Sequence, residues 1–153
     1  MAEEQQGKDM DELIKAMKTA FASEFAFYLK AHNFHWNVEG VNFHQFHCLF
    51  GAIYEEVYGS IDLFAENIRK LGAYAPGSFS RFSMLSTVND ELMVPEALDM
   101  VKELLDDSDL MIGIMKNVFD LATELGEDGL ANFAAERMDA HQKHSWMLRS
   151  TLK

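Results

Sequence analysis

The clearest pattern in the chain is a stripe of apolar residues that recur at steps of three and four. The stripe consists of Phe46, Phe50, Ile53, Val57, Ile61, Phe64, Ile68 and Leu71. This spacing places all its members on one face of an α-helix, because the helix turns once every ~3.6 residues. Asn42 before the stripe suits an N-cap, and Gly72 after it suits a helix end. The pattern therefore predicts a long helix from about Phe43 to Leu71.

Three further long helices are predicted from apolar periodicity and end signals. They run from about Met10 to Trp36, from Pro95 to about Leu125, and from about Leu130 to Leu152. Asp9 and Glu12 have the spacing of a capping box, and Pro95 suits a first helical turn. Neither of the two prolines, Pro76 and Pro95, interrupts a long apolar-periodic segment. These signals together predict an all-α fold.

The segment from Ala73 to Val94 carries Pro76, Gly77 and several serines. It is predicted to be a long crossover that contains a short helix. Four long helices, with one long connection between the second and the third, resemble a ferritin-like four-helix bundle. Residues 1–8 are predicted to be a flexible polar segment, and residues 9–153 a single domain of this kind.

The outer face of the second helix carries unusual residues for a solvated surface. At about 100° per residue, Asp62 and Glu66 lie ~145° and ~175° from the apolar stripe, and His47 lies about 85° from it. Gly51 and Gly59 lie on the same outer side as Asp62. A glycine inside a helix costs about 1 kcal/mol relative to alanine. Small residues there indicate that another helix, from a second subunit, approaches closely.

His35, His47, Asp62 and Glu66 are the candidate metal ligands. Imidazole nitrogens and carboxylate oxygens suit iron, and the two acids at i and i+4 point the same way from one helix. His47 and Asp62 would be ~22 Å apart along that helix, because the rise is 1.5 Å per residue. One iron cannot bridge that distance. If all four residues are ligands, the site is shared between two subunits related by a two-fold axis.

Simpler interpretations of these residues stay open. An Asp-x-x-x-Glu pair on a helix is usually a solvated face, and Arg69 could pair with Glu66. A histidine beside a tryptophan at a helix end usually caps the helix or packs in the core. His32, His141 and His144 are interpreted as structural, and His44 as a possible peripheral ligand. The chain has no Glu-x-x-His sequence, so we expect no di-iron carboxylate site inside one subunit.

Composition and charge narrow the possible compartments and binding partners of the protein. The chain has 153 residues, 48% of them hydrophobic, a net charge of -12 and one cysteine, Cys48. The absence of a long apolar run predicts no membrane span, and the first residues lack the pattern of a signal peptide. A lone cysteine fits a reducing compartment, so we expect a cytoplasmic protein. The acidic balance disfavours contact with the phosphate backbone of DNA.

Several motifs resemble those of the Dps family, the miniferritins named as DNA-binding proteins from starved cells. They are His35-Trp36-Asn37-Val38-Glu39-Gly40, Asn42-Phe43, His47, Tyr54-Glu55-Glu56, Asp62, Ala65-Glu66-Asn67-Ile68-Arg69, Leu71-Gly72 and, near the end, His144-Ser145-Trp146-Met147-Leu148-Arg149. The resemblance covers nearly the whole chain. It implies a dodecameric, hollow shell that oxidises Fe(II) to Fe(III), usually with hydrogen peroxide, or otherwise with oxygen, and stores the ferric oxyhydroxide. Consumption of both reagents together would protect against oxidative damage.

The resemblance also implies which subunit supplies each metal ligand. His35 and His47 would come from one subunit, and Asp62 and Glu66 from its two-fold neighbour, with iron as the metal and zinc or another divalent cation as a possible substitute. Two departures are notable. Gly51 stands where many members have an acid, which puts tight binding of a second iron in doubt, and Cys48 stands where some have a glutamate.

DNA binding is not carried over from the family. Members that bind DNA often use a lysine-rich N-terminal tail, whereas this chain begins with several acids. Two alternatives to the ferroxidase remain open. One is a DNA-condensing or structural shell with vestigial iron chemistry, which Gly51 and Cys48 keep open and the acidic N-terminus weakens. The other is a cation-binding helical bundle with no redox role.

Overall fold

The computed structural model describes residues 1–153, and these residues form five α-helices and no strand. The helices are α1 (Ala2–Asn37), α2 (Phe43–Lys70), α3 (Phe79–Leu85), α4 (Ala97–Glu124) and α5 (Asp128–Thr151). The prediction of a four-helix bundle is confirmed, as is the short helix in the crossover between α2 and α4. Helix α1 packs against α2 and α4, α4 packs against α5, and α3 lies on α1.

The start of α1 differs from the prediction. The helix begins at Ala2 rather than near Met10, so Asp9 lies inside it, and the predicted capping box is wrong. The carboxylate of Asp9 instead accepts a hydrogen bond of 2.8 Å from Gln5 Nε2, one turn earlier. Residues 2–8 are exposed and contain mainly strong helix formers, so local propensity extends the helix without any packing. That residues 1–8 are flexible stays a prediction.

A glycine follows the end of both α2 and α4, and Gly72 lies where the sequence predicts the end of α2. Gly72 has φ of 90° and Gly126 has φ of 72°, a left-handed conformation that other residues adopt only with strain. Beyond α4, the amide of Glu127 donates to the carbonyl of Ala122 at 2.8 Å, which satisfies one of the last free carbonyls of the helix. At the other end of α2, Asn42 occupies the N-cap position, but its side chain makes no capping hydrogen bond.

The core of the bundle has two apolar halves. One half is built around Phe21 and Phe64, and the other around Phe27 and Phe50. Six of the eight members of the α2 stripe are buried, and Ile61 is partly buried. Between the two halves lies a layer of buried polar side chains, which consists of Glu24, Ser108, Arg137, His141, His144 and Ser145.

Candidate metal centre

The two candidate histidines meet at the turn between the first two long helices. His35 lies near the end of α1 and His47 lies in the second turn of α2. Their rings stack with centroids 3.7 Å apart and planes 18° apart. Each ring is fixed by the backbone of the other residue, because His35 Nδ1 lies 2.7 Å from the His47 carbonyl and His47 Nδ1 lies 2.7 Å from the His35 carbonyl. The turn thereby holds both side chains in one orientation.

These reciprocal hydrogen bonds also settle which nitrogen carries the proton. A carbonyl oxygen only accepts, so Nδ1 of each ring must be the donor. In the neutral imidazole, the other nitrogen, Nε2, then keeps its lone pair free. Histidines that bind metals are commonly oriented in this way, by a hydrogen bond from the second ring nitrogen to a carbonyl or carboxylate. His35 and His47 are therefore prepared to act as a pair of nitrogen ligands.

Gly51 lies against the ring of His35. A Cβ atom at this position would lie 3.1 Å from both Cε1 and Nδ1 of His35. The close approach that requires a small residue at position 51 is therefore made by the same chain, which corrects the interpretation of Gly51 as a contact point for a second subunit. Gly59 has no atom of its own chain within 4 Å of an added Cβ, so the interpretation stays a prediction for Gly59 alone.

Asp62 and Glu66 lie together on the exposed outer face of α2. A side-chain hydrogen bond with Asp62, together with the charge of Asp62, raises the pKa of Glu66 above its usual value. A cation between the two carboxylates would relieve this repulsion. The alternative pairing of Glu66 with Arg69 is wrong, because Arg69 donates to the Ala73 carbonyl at 3.1 Å and lies over the Tyr74 ring.

The acids and the histidines do not come together within one chain. No group of three or more histidine, cysteine, aspartate or glutamate side chains is arranged to hold a metal ion in the single subunit. The helical rise of 1.5 Å per residue separates His47 from Asp62 by ~22 Å along α2. A complete four-ligand site therefore needs the acids of a second copy.

An aromatic layer lies beside the histidine pair. His32 stacks on Tyr54 with centroids 3.7 Å apart and lies 4.0 Å from the ring of Trp36. The Tyr54 ring is in turn 5.1 Å from the ring of His35. Burial, and to a lesser extent the neighbouring His35, lowers the pKa of His32, so its Nδ1 can accept a hydrogen bond from the Tyr28 hydroxyl 3.0 Å away. The interpretation of His32 as a packing and hydrogen-bonding residue is confirmed.

His44 and Cys48 lie outside this arrangement. Cys48 is exposed, with Sγ 3.7 Å from His44 Nε2 one turn earlier. His44 makes no hydrogen bond or ring contact with His35 or His47.

None of the helices is long and apolar enough to span a lipid bilayer.

Comparisons with known proteins identify relatives over nearly the full length. A family model described as a ferritin-like domain matches residues 14–153. The DNA protection during starvation protein of Helicobacter pylori is 30% identical over 137 residues, which cover 89% of this chain and 95% of the relative. The chain is therefore similar to a protein of that name over nearly the whole length of both.

Solved structures give the same result for the fold. The structure of Dps from Thermosynechococcus elongatus superposes with a TM-score of 0.94 at 26% identity, covering 97% of this chain and 95% of that one. The DPS protein of Vibrio cholerae O1, a member of a broad superfamily of ferritin-like diiron-carboxylate proteins, has a TM-score of 0.90 at 25% identity, with coverage of 95% and 92%.

Proposed function

The chain belongs to the Dps family of ferritin-like proteins, and from that premise we propose that it is a ferroxidase that stores iron. The proposed site lies between subunits: His35 and His47 of one copy bind Fe(II) together with Asp62 and Glu66 of a second copy. The observation that carries the proposal is the stacked histidine pair, with both Nδ1 atoms bonded to carbonyls and both Nε2 atoms free.

The ligand set suits the oxidation of iron. Carboxylates stabilise Fe(III) more than Fe(II), because they are hard and anionic, so the acids of the second copy lower the free energy of the oxidised product. Each Fe(II) gives up one electron, and one hydrogen peroxide accepts two, so two iron ions are oxidised per peroxide. Water supplies the remaining oxygen of the ferric oxyhydroxide, and protons are released. Oxygen is the alternative oxidant.

The wider role follows from the family. We propose a dodecameric shell in the cytoplasm, whose interior collects the ferric product, and in which removal of Fe(II) and peroxide together limits oxidative damage. Its two-fold contacts would be isologous, so each contact would create two identical sites. The lone Cys48 supports a reducing compartment. Zinc or another divalent cation is a possible substitute at the same ligands. Native mass spectrometry of the purified protein tests the subunit number.

The first experiment tests the ligands. The protein is loaded with Fe(II) without oxygen, peroxide is added, and the ferric absorbance in the near ultraviolet is followed. We expect a rapid signal in the wild type and its loss in the His47→Ala, Asp62→Ala double variant. His44→Ala is the matched control, because His44 is an exposed histidine on the same helix. A double variant as fast as the wild type would leave a structural shell or a redox-inactive cation-binding bundle.

A second experiment tests whether the site is shared. One chain carries His35→Ala and His47→Ala, the other carries Asp62→Ala and Glu66→Ala, and neither oxidises iron rapidly alone. In a mixed two-fold pair, the intact histidines of one chain face the intact acids of the other. Random mixing in equal amounts then restores about a quarter of the wild-type sites, because half of the pairs are mixed and each has one intact site. Without recovery in mixed shells, the shared site would be wrong.

A further inference from the structure

A buried charged cluster at the centre of the bundle has no role in the proposed interface site. Its members come from three helices: Glu24 from α1, Glu56 from α2, and Arg137, His141 and His144 from α5. The side chains of Glu24 and His141 are fully buried, and those of Arg137 and His144 are each 6% exposed. Glu56 is 38% exposed and forms the outer edge of the cluster. Such a cluster between two apolar halves of a core requires an explanation.

The guanidinium of Arg137 lies between the two carboxylates. Nη1 donates to Glu56 Oε2 at 2.6 Å, and Nη2 donates to Glu56 Oε1 at 3.1 Å and to Glu24 Oε2 at 3.5 Å. Each carboxylate also meets an imidazole: His141 Nε2 lies 2.6 Å from Glu24 Oε1, and His144 Nε2 lies 2.7 Å from Glu56 Oε1. Two carboxylates and two imidazoles thus surround one internal cation.

Both carboxylates are held in their charged form. Burial raises the pKa of Glu24, but the electrostatic interaction and hydrogen bond with His141, together with the charge of the Arg137 guanidinium, outweigh it and leave the pKa below its usual value. Burial likewise raises the pKa of Glu56, and hydrogen bonds from His144 and Arg137 bring it down to about 2. Glu24 is fully buried, so its charge requires a compensating cation close by.

The guanidinium of Arg137 does not have all its hydrogen bonds satisfied. Its Nε–H group is buried and has no hydrogen-bond partner. Buried donors are nearly always paired, so the cluster satisfies the Arg137 guanidinium only in part. The donor set around it, two carboxylates and two imidazoles, is one that binds Zn²⁺, Co²⁺ or Fe²⁺ in proteins.

The ring of His141 is oriented by a hydrogen bond from its second nitrogen, as the rings of metal-binding histidines commonly are. Ser108 Oγ donates to the His141 carbonyl at 3.0 Å, which leaves its lone pair to accept from His141 Nδ1, also at 3.0 Å. This arrangement keeps the proton on Nδ1 and directs Nε2 towards the centre of the cluster. Loss of the Nε2 proton would accompany metal binding.

We propose that Glu24, Glu56, His141 and His144 form a latent divalent-metal site inside each subunit, and that the guanidinium of Arg137 occupies the metal position and keeps the site closed. With Arg137 in place, no three ligands converge on a common point. Without it, a single divalent transition-metal ion would replace the guanidinium charge between the same two carboxylates. This proposal does not depend on the interface ferroxidase site.

The test measures Co²⁺ binding in the assembled protein. The His47→Ala, Asp62→Ala background removes two of the four proposed interface ligands, one histidine and one acid, so that additional binding in the interior can be measured against it. We expect Arg137→Ala in this background to bind one additional Co²⁺ per chain, with visible absorption bands typical of nitrogen and oxygen coordination, and to melt at a higher temperature with Co²⁺ than without. The parent with Arg137 intact should show neither effect.

Two further variants separate a metal site from a structural ion pair. Arg137→Lys retains a cation in the cluster and should bind no additional Co²⁺, whereas Arg137→Ala combined with His144→Ala should lose at least tenfold in affinity. Arg137→Gln, which is closer in size, replaces Arg137→Ala if that variant is not recovered folded. A folded Arg137→Ala or Arg137→Gln protein without additional Co²⁺ would overturn the proposal. Failure of both variants to fold, even with Co²⁺ present, would equally show that the cluster is only structural.

Discussion

Replacement of Gly51 by alanine is expected to disturb the histidine pair without weakening the helix. The new Cβ would lie 3.1 Å from Cε1 and Nδ1 of His35. Carbon atoms in ordinary contact are ~3.5–4.0 Å apart, so the ring must move by about 0.5 Å. His47 stacks 3.7 Å from the ring, and the His47 carbonyl binds Nδ1 at 2.7 Å, so the movement strains or lengthens that hydrogen bond.

Two effects on stability oppose each other in Gly51→Ala. Alanine stabilises a helix interior by about 1 kcal/mol relative to glycine. A weakened hydrogen bond costs about 1 kcal/mol, so the net change at position 51 is close to zero. Gly113 of α4 is the matched control, because a Cβ there meets nothing within 4 Å. Gly113→Ala should therefore show the full gain, which raises the melting temperature by ~2–4 °C for a domain of this size.

The effect on iron oxidation should be larger than the effect on stability. Disturbance of the hydrogen bonds that orient a metal ligand typically costs about 10- to 100-fold in metal affinity or activity. We expect the initial rate of ferric absorbance after peroxide addition to fall by at least ~10-fold in Gly51→Ala, and to remain at the wild-type value in Gly113→Ala. A Gly51→Ala protein that oxidises iron at the wild-type rate and gains as much stability as Gly113→Ala would refute the reasoning.

Three further predictions concern stability and DNA. The folded-state pKa of Glu56 is lowered to about 2 from a usual value of 4.5, so its contribution to stability is present above pH 4.5 and is lost as the pH falls towards 2. In Glu56→Gln, the melting temperature should therefore fall less steeply than in the wild type as the pH is lowered from 4.5 towards 2. Lys30→Met should lower the free energy of unfolding by about 3 kcal/mol, because it leaves Asp107, 2.8 Å from Lys30 Nζ, without its buried partner. Lys116→Met removes one member of an exposed pair and should cost less than ~0.5 kcal/mol. Equal losses of unfolding free energy in chemical denaturation would contradict this. In a gel-shift assay at low and moderate salt without divalent metal, the protein should not retard DNA, because its net charge is -12; a clear, salt-sensitive shift would favour the DNA-condensing alternative.

The predictable parts of this protein are those set by local sequence. The stripe on α2 predicts its length and its buried face, and Gly72 marks its end because only a residue without Cβ adopts φ of 90° at no cost. The end of α1 is likewise close to its prediction, but its start is not. Residues 2–8 have no apolar stripe that would reveal a helix, and only their helix propensity accounts for it.

The less predictable parts depend on contacts between distant positions. His141 and His144 look structural in the sequence, and their i, i+3 spacing is the only signal that they point the same way. Glu24, which accepts from His141, is 117 positions away, and no local pattern connects the two. The sequence alone assigns Gly51 to a contact with a neighbouring subunit, whereas the structure shows that it makes room for His35 of its own chain.

By itself, the sequence determined the four long helices, the crossover and the residue types available to bind a metal, since helix periodicity and end signals act over a few residues. The tertiary structure alone decided which nitrogens of His35 and His47 are free and which side chain fills the centre of the bundle. The reason is that ring orientation and burial depend on backbone groups and side chains from other helices. These are brought together only when the apolar faces pack.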